Sequence, residues 1–133
     1  MKKILFTIFL FLLALGAAYG QRVTDGNYST VGYIKSDGTI QDSYYHTIGH
    51  IQSDGRVQDS HYSTVGHIKS DGTIQNASYS TIGHVREDGT VLNANYSTIG
   101  HIRDDGTVLD SSYRTIGHAP GIPKAWAAWF FFF

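Results

Sequence analysis

Five of the seven histidines in this 133-residue chain recur at a fixed spacing of seventeen residues. Imidazole binds transition metals and titrates near neutral pH, so a ring of such positions would suit a metal site or a proton-responsive site. Equivalent positions of neighbouring hairpins lie about 10 Å apart, however, which is too far for one ion to be shared. We therefore expect polar side chains on a partly wetted face, with no metal bound. Tyr33 takes the place of histidine in the first unit, and the others are His50, His67, His84, His101 and His118.

Carboxylates form the second repeated set of reactive groups. Aspartate precedes glycine in five loops, at Asp37, Asp54, Asp71, Asp88 and Asp105. Calcium loops need an alternating series of acidic ligands, which these loops lack, whereas Asp-Gly is typical of tight turns. The chain also lacks cysteine, a nucleophile elbow and a phosphate-binding glycine loop. We expect no catalytic residues, no cofactor and no enzymatic activity.

These residues belong to a tandem repeat, which determines the architecture. A tyrosine opens each unit, at Tyr28, Tyr45, Tyr62, Tyr79, Tyr96 and Tyr113. The consensus unit is Tyr-Ser-Thr-Ile-Gly-His-Ile-Lys-Ser-Asp-Gly-Thr-Ile-Gln-Asp-Ser-Ser. A unit this short cannot bury its own apolar face, so the copies must stack against one another.

Each unit is typical of a β-hairpin. Residues 62–69 and 73–75, for example, are rich in β-branched and aromatic side chains and flank a Ser-Asp-Gly turn. A three-residue loop with a glycine bulge sets Ile68 opposite Ile74, whereas a two-residue loop would set Lys69 there. The three-residue loop keeps apolar side chains together, and we expect that register.

In this register, strict alternation divides the first strand between two faces. Tyr62, Gly66 and Ile68 share one face, and Val65 lies with His67 on the other. Each face carries one aliphatic row, so we expect neither face to be fully exposed to water.

The two ends of the repeat are complementary halves of one unit. Residues 22–25 match a second strand, and residues 113–118 match only a first strand. Pairing between residues 22–25 and 115–118 would complete a sixth hairpin and remove the exposed sheet edges. The sequence therefore predicts an all-β fold, a closed shallow barrel of about six hairpins and twelve short strands. An open β-hairpin solenoid with truncated ends is the alternative.

The C-terminal segment, residues 119–133, departs from the repeat. Pro120, Gly121 and Pro123 end the last strand, and a run of alanine, tryptophan and phenylalanine follows. Ten residues span about 15 Å as a helix, too short to cross a bilayer but comparable to a shallow barrel's height. Barrels of more than ~8 strands enclose more space than their own side chains fill. We expect a short hydrophobic helix, which either plugs the lumen or anchors the protein in a membrane through Trp126, Trp129, Phe130, Phe131, Phe132 and Phe133.

The N-terminal residues have the layout of a secretory signal peptide. Lys2 and Lys3 precede an apolar run over residues 4–15, and small residues follow. Cleavage is expected after Gly20, with a cut after Ala18 and a retained membrane anchor as alternatives.

The chain thus divides into a signal peptide over residues 1–20, a hairpin repeat barrel over residues 21–118 and a tail over residues 119–133. The formal net charge of −1 argues against a nucleic-acid partner. The absence of cysteine rules out disulfides and bacterial lipoprotein attachment. We expect export to the periplasm, the outer envelope or the extracellular space.

The Thr-Ile-Gly-His repeats followed by Asp-Gly, the leader and the aromatic end together resemble the bacterial β-flower proteins, known in a smaller form as four-fold β-flower domains. The likeness covers residues 21–133, although this chain has about six units. The resemblance implies a shallow barrel of petal-like hairpins around a hydrophobic helix, similar to Tubby-type barrels. It also implies relatives that bind phosphoinositide lipids, although this chain has no basic lipid-binding cluster.

The first functional hypothesis is a non-catalytic structural or interaction module of the bacterial cell envelope that rests on a membrane surface. The alternative hypothesis is a lumen that binds a lipid or another apolar ligand. A metal- or proton-responsive histidine ring is the third hypothesis.

Overall fold

The computed structural model describes residues 20–133, so the predicted signal peptide lies outside the described residues except for Gly20. This part of the chain forms twelve antiparallel strands and one helix. The strands are β1 (Gln21–Asp25), β2 (Thr30–Ile34), β3 (Thr39–Asp42), β4 (Thr47–Ile51), β5 (Arg56–Asp59), β6 (Thr64–Ile68), β7 (Thr73–Asn76), β8 (Thr81–Val85), β9 (Thr90–Asn93), β10 (Thr98–Ile102), β11 (Thr107–Asp110) and β12 (Thr115–His118), and helix α1 (Lys124–Phe132) follows them.

The sheet closes on itself through its first and last strands. In the β1–β12 pair, Thr24 lies opposite His118 and Asp25 lies opposite Gly117. All remaining pairs join strands that are consecutive in the sequence, from β1 with β2 to β11 with β12. The predicted closure and the barrel of twelve strands are confirmed, and the open solenoid is wrong. Because each strand has two partners, the described residues expose no sheet edge.

The Asp-Gly loops connect the two strands of each hairpin. Ile68 lies opposite Ile74, which confirms the three-residue loop. Gly72 has a φ of 91°, in the left-handed region that glycine adopts without strain. Its carbonyl oxygen accepts a hydrogen bond from the Val85 amide of the next hairpin at 2.8 Å. The loop therefore turns one hairpin and also links it to its neighbour.

Turns of a second kind connect successive hairpins, and we call them the tyrosine turns. Asp59 Oδ1 accepts hydrogen bonds from the amides of His61 at 2.9 Å and Ser63 at 3.0 Å. Tyr62 has a φ of 65°, and its amide donates to the Asp59 carbonyl at 3.1 Å. Strand β6 therefore begins at Thr64 and not at Tyr62 as predicted, because the left-handed conformation of Tyr62 interrupts the extended backbone.

A β-bulge recurs in the first strand of every hairpin. In β6, Gly66 pairs with Val57 and Thr64 pairs with Gln58, which leaves Val65 without an opposite residue. The bulge breaks strict alternation, so the Val65 side chain lies on the lumen side with Trp129 and not on the face of His67 as predicted. The equivalent bulged residues are Val31, Ile48, Ile82, Ile99 and Ile116.

The hydrophobic core lies inside the barrel. Aliphatic side chains of alternate strand positions are fully buried there, including Ile34, Ile74 and Val91. Helix α1 packs among them, and its Ala127 and Ala128 are 0% exposed. The predicted short hydrophobic C-terminal helix is confirmed.

Helix α1 begins at the end of the barrel that carries the Asp-Gly loops. Lys124 Nζ donates hydrogen bonds to the Glu87 carbonyl at 3.1 Å and to the Asp104 carboxylate. Both acceptors belong to Asp-Gly loops, so the lysine ties the start of the helix to two hairpins. Among residues 20–133, no helix has the length and apolar character needed to cross a bilayer.

We predict that deletion of residues 21–25 will abolish cooperative unfolding, because it opens the barrel rather than trimming an edge. Guanidinium denaturation followed by circular dichroism measures this effect. Replacing the exposed Gln21 and Arg22 by alanine is the control, since surface changes of this kind alter stability by less than about 0.5 kcal/mol. A deletion variant with an unchanged unfolding midpoint would contradict the closure.

The Asp-Gly loops also predict an acid limit to stability. A hydrogen bond from the Thr73 amide at 2.9 Å lowers the pKa of Asp71, and the Thr90 and Thr107 amides lower the pKa values of Asp88 and Asp105. A lowered folded-state pKa stabilises the fold above the unfolded value of about 3.9 and ceases to do so as the pH falls through the folded-state value.

We therefore expect the melting temperature to fall below about pH 4. In the triple variant D71N/D88N/D105N the side-chain oxygens can still accept the backbone hydrogen bonds, but the side chains no longer titrate. Asn76 and Asn93 accept backbone hydrogen bonds in this way in the tyrosine turns. The melting temperature of the triple variant should fall less steeply between pH 4 and pH 2. Identical slopes for the variant and the parent protein would overturn this assignment.

Candidate functional site

A belt of stacked aromatic rings surrounds the outside of the barrel. Each tyrosine of a tyrosine turn stacks on the ring at the histidine position of the preceding unit. The His67 and Tyr79 rings, for example, lie 4.3 Å apart with planes 16° from parallel. The remaining stacks are Tyr28–His118, Tyr33–Tyr45, His50–Tyr62, His84–Tyr96 and His101–Tyr113.

The left-handed tyrosine is what produces this stack. A non-glycine residue with positive φ costs about 1 kcal/mol or more, and an aromatic pair contributes about 0.5–1.5 kcal/mol. The turn directs the Tyr62 ring back over His50, where it stays 64% exposed. Ile68 is buried in the core, so the prediction that Tyr62 and Ile68 share one face is wrong.

A second layer of buried side chains lies beside the histidine positions, on five of the six second strands, and Gln75 of β7 is the partly exposed exception. Leu92 and Leu109 are each 2% exposed, and Gln58 is 7% exposed. Gln58 Nε2 donates a hydrogen bond to the Tyr62 carbonyl at 3.2 Å. The belt thus holds the tyrosine turns against the sheet.

The five predicted histidines occupy the outer face, each against its own tyrosine. Within residues 20–133, no three histidine, aspartate or glutamate side chains are placed to hold a metal ion together. Nε2 of His67 and of His118 is buried without a hydrogen-bond partner in the described chain. The five imidazoles are therefore separated from one another, and each stacks on one tyrosine ring.

Inside the barrel, a row of glycines faces the C-terminal rings of α1. Each first strand contributes one glycine, at Gly32, Gly49, Gly66, Gly83, Gly100 and Gly117. A Cβ atom would lie 2.8 Å or less from a carbonyl oxygen of the neighbouring strand at all six, and 3.0 Å or less from a ring of the helix at five. The contacts are Phe130 with Gly32, Trp129 with Gly66, Phe133 with Gly83, Phe132 with Gly100 and Phe131 with Gly117.

The structure therefore brings together five of the six predicted tail residues. Trp126 lies apart from them, against Ile34 and Pro123 near the start of the helix. The role of the glycine in each Thr-Ile-Gly-His motif was missed. The sequence feature that could have indicated this role is a glycine repeated at the same position of each unit, in a chain that ends in five consecutive aromatic residues.

The helix ends at the mouth of the barrel that carries the tyrosine turns. Its Trp129 ring packs on Gly66, and Gly66 lies directly opposite Asn76 of such a turn. All five terminal rings are only partly buried there. Three bulged residues are also exposed, Val31 by 37%, Ile48 by 47% and Val65 by 40%. We call residues 129–133 and these three side chains the aromatic mouth.

The rings cover one half of this mouth more than the other. Ile82, Ile99 and Ile116 occupy the same bulge position as Ile48 but pack against the core as partly buried residues. Units that are nearly identical in sequence therefore have different surroundings, because a single helix cannot contact six hairpins equally.

Comparison with known proteins identifies the family. A model of the family described as 5-fold beta-flower protein matches residues 20–133. No curated protein and no solved structure matches the chain. The predicted resemblance thus holds at the level of the β-flower, but the matching form is the five-fold one and not the four-fold one. The closed ring of hairpins around an aromatic helix, and the match over its whole described length, show that the chain belongs to the 5-fold β-flower protein family.

Proposed function

We propose that the protein is a non-catalytic, exported module of the bacterial cell envelope that rests on a membrane surface through its aromatic mouth. The observation that supports this proposal is the exposed apolar surface at one end of the barrel. Ile48 and Val65 are nearly half exposed beside the rings of Trp129 and Phe130. Exposed apolar patches with polar rims are typical of membrane or partner contacts.

The rim of this mouth has the composition of an interfacial surface. The tyrosine turns around it carry serine, asparagine and aspartate, and Tyr44 is 79% exposed. Tryptophan and tyrosine favour the boundary between lipid and water because each has an apolar ring and a polar group. Trp129 at the end of α1 fits that role.

The charges near the mouth favour binding to neutral lipid. Arg114 is paired with Asp110 at 3.0 Å, and His46 contacts Asp42 at 3.0 Å. No cluster of basic side chains is present in the tyrosine turns of residues 20–133. Apolar burial would therefore drive the association, with little dependence on anionic lipid or on salt.

The titratable groups support a non-catalytic role. Backbone amides occupy the carboxylates of Asp71 and Asp88 and lower their pKa values, so these groups stay ionised at neutral pH and are poor general acids. The imidazoles are stacked one by one on tyrosines around the outside of the barrel.

A ligand that fills the lumen is the second candidate. Ala127 and Ala128 of α1 are completely buried inside the barrel, and the helix rings pack on five glycines. A large apolar ligand would have to displace these contacts. The packing of the helix therefore supports the membrane-resting module over a lumen-filling lipid.

Two single-tryptophan variants test the proposed orientation. W126F leaves Trp129 at the mouth, and W129F leaves Trp126 near the opposite end of α1. Neutral phosphatidylcholine vesicles should protect Trp129 from iodide quenching and leave the quenching of Trp126 unchanged. Equal protection of both tryptophans, or of neither, would contradict the proposal.

Replacement of the mouth residues should weaken vesicle binding. I48S/V65S removes two partly exposed aliphatic side chains, and we expect about tenfold weaker partitioning in a sedimentation assay. Y79S/Y96S is the matched control, because it removes two exposed rings from the side of the barrel instead. A greater loss in this control than in I48S/V65S would place the lipid contact on the belt.

A further inference from the structure

The glycine row inside the barrel has six members, and the helix supplies five rings. Gly32 and the four others described above each lie beneath one aromatic ring of α1. At Gly49 no ring from residues 20–133 lies within 4 Å of the Cβ position. The nearest side-chain atom there is Ile40 Cδ1, at 3.8 Å. The sixth position therefore has the backbone of the other five without a ring of the helix upon it.

A cavity of about 330 Å³ occupies this position. Its walls are Ile40, Val57, Val65, Trp129, Phe130 and Phe133. An apolar cavity of about 150 Å³ is enough to bind benzene, so this volume admits one ring or two fused rings. The half-exposed Ile48 also lines the cavity and leaves it accessible from solvent.

The five occupied positions show which shape fits. At Gly32 the edge of the Phe130 ring lies 3.0 Å from the Cβ position, a place that only glycine leaves open. A flat ring can approach the backbone this closely, whereas a puckered or branched group of equal volume is thicker. The repeat places Gly49 in the same strand position, between the same bulge and the same kind of aliphatic residue.

We propose that the cavity beside Gly49 is a binding site for a neutral, planar aromatic group of one or two fused rings. The ring lies over Gly49 as the Phe130 ring lies over Gly32, with Trp129 and Phe133 as neighbours. Asp59 lines the same cavity, and its carboxylate disfavours an anionic ligand. The cavity shares Ile48, Val65 and Trp129 with the aromatic mouth. Because ring binding requires no lipid, it can be measured independently of the membrane contact proposed above.

The probe is 5-fluoroindole, and its fluorine NMR signal is measured with the full chain in lipid-free buffer. We expect saturable line broadening by the parent protein. The anion 5-fluoroindole-2-carboxylate should broaden much less because of Asp59. Equal broadening of both probes would overturn the proposed site.

A variant that fills the cavity localises the binding. I48F adds a ring from the exposed rim of the cavity, and we expect about tenfold or greater loss of affinity for 5-fluoroindole. V31F is the matched control, because Val31 is the same bulged residue beside Gly32, which Phe130 already covers. Equal loss in V31F and I48F, or no loss in I48F, would refute the assignment.

Competition separates a flat ring from any apolar molecule of similar size. Phenol should displace 5-fluoroindole from the parent protein, and cyclohexanol should displace it several-fold less well. Equal displacement by the two alcohols would show an unspecific apolar cavity and would contradict the aromatic site. Vesicle binding by I48F and by the parent protein is measured in parallel, so failure of this proposal is distinguishable from failure of the membrane contact.

Discussion

The pairing of β1 with β12 is the constraint on which the rest of the structure depends. Two short strands from opposite ends of the repeat supply it, with Thr24 opposite His118 and Asp25 opposite Gly117. Closure gives every hairpin two neighbours, so units too small to bury their own apolar faces acquire a shared interior. The stack of Tyr28 on His118 continues the outer belt across the same junction.

Closure also creates the need for the helix. A ring of twelve strands encloses more space than its short side chains fill, and the inward glycines widen it further. Five consecutive aromatic residues provide the missing volume, and the glycines allow each ring to approach the backbone closely. The glycine row and the aromatic tail thus depend on each other, because an empty barrel and an unpacked aromatic tail would each expose a large apolar surface to water.

The sequence predicted those features of the fold that depend on the length of the repeat unit and on the complementary half units at its two ends. The hairpin register of Ile68 with Ile74, the closed ring and the short C-terminal helix follow from local turn chemistry and from the half units. The position of Tyr62 was not predictable in that way, because it depends on one left-handed backbone conformation. The bulge at Val65 and the choice of glycine under each ring depend on three-dimensional packing, which has no periodic signature of its own.

The helix breaks the symmetry of the repeat and gives its six units different surroundings. Six hairpins with nearly the same sequence would present six equivalent surfaces, and no site could differ from its copies. Helix α1 has one axis and five terminal rings, so it covers Ile82, Ile99 and Ile116 and leaves Val31, Ile48 and Val65 exposed. The exposed half of the mouth and the cavity beside Gly49 both lie on the side of the barrel that the rings of the helix cover least. The mismatch between five rings and six glycines, rather than any residue of the repeat itself, therefore distinguishes the side of the barrel on which both proposed binding surfaces lie.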